Sequence, residues 1–156
     1  MGTEIDPRGR SLRISEDLFR LTTESLRLHS NMALVHKTLA DLVDHRVLGG
    51  DTLSAHDPAT LGEHLDVVPG RGDIDCVLPV SAQSLDYLER LQATFSQVIG
   101  RGLSLEDALS LLLFDYVVDQ KAVKVLQILK VEQAHRQPSY GGTSRHYARL
   151  ERPDYC

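Results

Sequence analysis

The sequence predicts a mainly α-helical domain with two short strands, and three observations carry that reading. Apolar residues recur at helical spacing along most of the chain. Two short runs, Ser11–Ile14 and Asp75–Val80, alternate polar and apolar residues instead, as a strand with one buried face does. Aromatic residues make up only 5% and Trp is absent, which suits helix packing by Leu, Val and Ala. With 156 residues, the chain is one domain or two small half-units sharing a core.

Residues 1–9 hold Pro and Gly without apolar periodicity and read as a flexible arm. In the first strand Leu12 and Ile14 point inward, Ser11 and Arg13 outward. Ser15 is an N-cap, and Glu16 and Asp17 suit the positive end of a helix dipole. Leu18, Leu21, Ser25 and Leu28 then mark a helix face. At His29-Ser30-Asn31, residues that compete for backbone hydrogen bonds predict a turn and a new N-cap. A second helix is expected from Met32 to Val47, with Val35, Leu39, Leu42 and Val43 buried, ended by Gly49-Gly50. Residues 49–73 read as linker, with a short helical turn near Pro58–Leu65 set by the Asp57-Pro58 cap.

The second strand should bury Leu78 and Val80 and expose Asp75, Val77 and Pro79. Leu85, Leu88, Leu91, Phe95 and Val98 form the stripe of the next helix, and Gly100-Arg101-Gly102 breaks it. Ser104 and Asp107 resemble a capping box. Leu109–Val118 is apolar nearly all round, so this helix is central. A further helical stretch with Val123, Leu126 and Leu129 runs to about Gln133, and residues 134–156 read as a disordered tail.

The two strand-like runs reveal a repeat: Leu12-Arg13-Ile14-Ser15 aligns with Leu78-Pro79-Val80-Ser81, each followed by helix, break and helix. This order resembles the ribbon-helix-helix family over roughly residues 10–48 and 74–120. With both copies in one chain, it is similar to the TraY-like accessory proteins of plasmid conjugation. The resemblance implies a tandem ribbon-helix-helix pseudo-dimer: mainly α, with a short two-stranded antiparallel ribbon that enters the major groove of duplex DNA. By position, Ser11 and Arg13 would read base edges, and Arg8 and Arg10 would contact phosphate or the groove wall. Backbone N–H groups near Ser30 and Asn31, and near Ser104 in the second copy, would hold phosphates. The second strand departs from that pattern, since Asp75 repels phosphate and Pro79 lacks a ladder donor.

The implied activity is a DNA-binding regulator or conjugation accessory factor. The reading from another class is a non-enzymatic adaptor that binds a protein through residues 122–156, and oligomerisation is left open. The net charge of −5 argues against a general nucleic-acid-coating protein, but the ends are basic and residues 51–80 acidic. No apolar run is long enough for a bilayer and no signal-peptide pattern opens the chain, so a cytoplasmic protein without membrane contact is expected. Two cysteines give no disulfide framework, and Cys76 beside Asp75 reads as a small buried hydrophobe. His29, His36 and His45 lack the spacing that puts two imidazoles on one helix face, so neither metal nor cofactor is expected. The glycine pairs lack phosphate-loop context and no nucleophile motif occurs, which argues against an enzyme.

Overall fold

The computed structural model describes residues 9–136; expectations for Arg8, the rest of the arm and residues 137–156 lie outside them. Among the described residues the chain is mainly helical with one short antiparallel sheet. In order come β1 (Arg10–Ile14), α1 (Glu16–Ala33), α2 (Leu39–Leu48), a 3-10 turn at Leu53–Ala55, α3 (Pro58–Val67), β2 (Ile74–Leu78), α4 (Ala82–Ile99) and α5 (Leu105–Arg136). Residues up to Ala122 form one compact unit, and the part of α5 from Val123 belongs to a second.

The alternating runs form the sheet because five residues each bury one face. β1 pairs with β2 from Arg10↔Leu78 to Ile14↔Ile74, centred on Leu12↔Cys76. Leu12, Ile14, Leu78 and Val80 are buried beneath it, as the alternation predicts, and Cys76 is half-buried, where burial pushes its thiol pKa up. Under the sheet, α5 is the central helix. Leu109, Leu111, Leu112, Leu113 and Tyr116 are almost wholly enclosed. Around it α2 packs against α1 and α4, and α3 against α4.

A constant offset of 66 positions links the two halves. Ser15 and Ser81 cap α1 and α4, which are both 18 residues long. Leu34 and Gly100 end them in the left-handed region, each donating its N–H to the carbonyl of Ser30 or Ser96. The hydroxyls of those two serines then accept the N–H groups of Lys37 and Leu103. Thr38–Asp41 and Ser104–Asp107 close capping boxes at α2 and α5.

Four expectations need correction. The first helix does not break at His29-Ser30-Asn31; it continues to Ala33, and α2 starts at Leu39. The continuation keeps His29 buried at the foot of α1, its ring edge-on to Tyr116 at 5.9 Å. The start signal is Thr38 with Asp41, and Val35, left in the connection, is 58% exposed rather than buried. The segment 49–73 is more than linker, because Leu53, Leu61 and Leu65 belong to the core. In α4 the stripe ends on Ile99, packed against the core, while Val98 is exposed. The helical stretch expected to run to about Gln133 is the continuation of α5, which reaches Arg136 and takes in the first three residues expected as tail.

Leu34 sits at φ 55°, where its Cβ crowds the backbone, and its side chain is exposed. Leu34→Gly should therefore stabilise the protein, by roughly 0.5–1 kcal/mol. Thr38→Ala should cost about 1 kcal/mol through loss of the α2 cap. Urea denaturation of both variants against wild type measures the two effects; a helix start at Asn31 would leave Thr38→Ala neutral.

Candidate nucleic-acid interface

The outer face of the sheet is where the sequence-predicted base-reading residues gather. The pleat sends Ser11 and Arg13 of β1 and Asp75 and Val77 of β2 to the side away from the core, and all four are exposed. Ser11 lies directly opposite Val77, and Arg13 opposite Asp75. Val77 is 60% exposed, an unusual position for an aliphatic side chain in a strand. Arg10, opposite Leu78, is exposed at the end of the ladder.

Arg13 is held in place by the second strand. Its Nη2 donates to the Asp73 carbonyl at 3.2 Å, and its Nη1 lies 3.7 Å from the Asp75 carboxylate. Both side chains remain mostly in solvent, so this pair contributes little to stability. It does orient the guanidinium, whose planar fork can still donate to a base edge. The Arg13 backbone N–H donates to Glu106 at 3.4 Å, which ties the strand to the start of α5.

The helix-start residues do not join this face as expected. Ser30 and Asn31 lie in the last turn of α1, not at a helix N-terminus. Ser104 is buried, its hydroxyl accepts from the Asp107 N–H, and the Asp107 carboxylate accepts from Ser104 and Gly70 N–H groups. The segment Pro69–Gly72 lies against this helix end and against β1. Ser15 donates to the Pro69 and Gly70 carbonyls, and the Gly72 N–H donates to the Arg13 carbonyl. A Cβ on Gly70 would come within 2.3 Å of the Asp107 nitrogen, and one on Gly72 within 2.4 Å of the Ser15 Cα, so both positions require glycine. The sequence showed these glycines as connectors; what they approach was not visible there.

Sequence reasoning also missed a buried polar cluster that holds the scaffold behind the ribbon. Asp115 of α5 accepts from Arg46 Nη2 of α2 at 2.5 Å, from the Thr52 hydroxyl and from His56 Nε2 at 2.8 Å. Arg46 also reaches Asp119 at 3.2 Å. Burial raises the Asp115 pKa, but the Thr52, Arg46 and His56 hydrogen bonds outweigh it and hold the carboxyl below its ordinary value. A carboxylate with three donors around it is a tie between α2, the 51–56 turn and α5. The Asp115 in an otherwise apolar run was the only sequence signal. Among the described residues no group of three or more His, Cys, Asp and Glu side chains could hold a metal, and no helix is long and apolar enough to cross a membrane.

His64 adds a pH-dependent contact, with Nε2 2.9 Å from the Ser110 hydroxyl and its ring stacked on Phe114 at 4.4 Å. Burial lowers its pKa, opposed in part by the Ser110 hydrogen bond. The folded state therefore disfavours the proton that the unfolded chain accepts near pH 6.5. The stability His64 contributes is complete above that pH and is lost as the pH falls toward and through its lower folded pKa. Thermal denaturation between about pH 7.5 and 5 should show this loss, reduced in His64→Gln. Asp115→Ala should destabilise by about 3–5 kcal/mol, because it strands Arg46 without its buried partner; chemical denaturation would reveal a smaller cost if the cluster were loosely held.

Comparison with known proteins returns no match: no family model, no curated protein and no solved structure aligns with this chain.

Proposed function

We propose that the chain is a tandem ribbon-helix-helix pseudo-dimer that binds duplex DNA through the outer face of its ribbon, as a regulator or conjugation accessory factor. The observation that carries this reading is that face itself: Ser11, Arg13 and Val77 stand exposed on an antiparallel ribbon that no other described element covers. The 66-position offset between matching caps supports two copies of one unit. The register supports it as well, since Ser11 and Val77 are separated by that offset and pair with each other.

The chemistry of the two strands differs, so the favoured site is not a palindrome. Arg13 suits the O6 and N7 acceptors of guanine, and Val77 suits a thymine methyl. Asp75, facing the duplex from the second strand, weakens the attraction to phosphate. With a net charge of −5 and acidic capping boxes at α2 and α5, few phosphates are neutralised, and binding rests more on base contacts than on charge.

Titration of a panel of labelled duplexes across a salt series tests this. Wild type should bind a subset of sequences with a shallow salt slope. Arg13→Ala should weaken binding to its preferred duplex by about 1–3 kcal/mol and relax the preference at one base pair. Absence of binding to every duplex at low salt would rule the reading out.

A further inference from the structure

The end of α5 presents a surface that nothing in the ribbon explains. From Val123 to Val131 the helix exposes Val125, Leu126, Ile128, Leu129 and Val131, each about half accessible, and no described residue covers them. At 100° per residue, Lys124, Ile128 and Glu132 lie in one row along the helix, with Val125 on one side and Val131 on the other. A shallow apolar groove runs along this face, lined by Lys124, Gln127, Ile128, Val131 and Glu132. The row has a basic end, an apolar middle and an acidic end.

That order is self-complementary when reversed. We infer that this face pairs with the same face of a second copy of the chain, the two helices running antiparallel and crossing at Ile128. Ile128 then packs on its counterpart, Val125 on the second copy's Val131, and Lys124 meets Glu132 at both ends. A parallel arrangement would set lysine beside lysine and glutamate beside glutamate, so the charge order selects the antiparallel one. Val123–Arg136 spans about 21 Å at 1.5 Å per residue, enough for both charge pairs to form. The contact is smaller than the roughly 1,200–2,000 Å² of a standard interface, which makes it a weak, concentration-dependent dimer with a dissociation constant on the order of 10 µM.

Sedimentation equilibrium of the full chain from about 1 to about 500 µM reads this directly. The average mass should rise from 17.4 kDa toward twice that value. Ile128→Lys should weaken association at least about tenfold, and Lys124→Glu and Glu132→Lys should each do the same by placing like charges together. The double variant Lys124→Glu/Glu132→Lys should recover wild-type association, which a partner of different sequence would not produce. Circular dichroism checks that each variant keeps its helix. A constant mass of 17.4 kDa, a dimer indifferent to Ile128→Lys, or a double variant as weak as the single ones would overturn the inference. Association that appears only after removal of residues 137–156 would also overturn it, since the chain's own tail would then be the occupant.

Discussion

The pairing of β1 with β2 is the constraint on which the rest of the fold depends. A single five-residue strand cannot satisfy its backbone groups or bury its apolar face alone. Its partner begins 60 positions further along the chain, so every element between them must bring the chain back to lie alongside. Leu12, Ile14 and Leu78 are buried because the ladder aims them at α5, and the segment Pro69–Gly72 completes the edge of β1 just before β2 begins. The same ladder leaves Ser11, Arg13, Asp75 and Val77 on the outside. Core and candidate interface are thus two sides of one alternation.

Behind the sheet, α5 links apolar packing to a polar tie. Its Leu109–Leu113 stretch is enclosed by neighbouring elements, and two residues further on Asp115 gathers Arg46, Thr52 and His56. Replacing such a cluster by apolar residues of equal volume is often neutral for stability. What the cluster supplies is direction. Its hydrogen bonds to one carboxylate tie α2 and the 51–56 turn to a single point on α5.

Much of the fold was legible because its signals are local. Two alternating runs, the serine caps at 15 and 81, and the Ser104–Asp107 box need only a few neighbouring residues to be read. The failures involve partners distant in sequence or signals that compete. Ser30 looked like a cap by residue type; its hydroxyl does accept a backbone N–H, but that of Lys37, across the connection, with the helix already ending. Thr38-x-x-Asp41 was an equally plain start signal and is the one that prevails. Asp115 gave no hint of its partners, which lie 59 to 69 positions earlier. At the ribbon, alternation identified which residues face out, while the hold of Asp73 and Asp75 on Arg13 required the register.

The long separation of the two strands also governs how the chain can be made. During synthesis β1 leaves the ribosome first, with Leu12 and Ile14 still lacking the ladder that buries them. Neither β2 nor the helix beneath both strands exists yet, and the densest part of the core, Leu109–Tyr116, comes last. Until β2 has been made, the edge of β1 has no native strand to pair with. Completion of both ladder and core therefore depends on segments made well after β1.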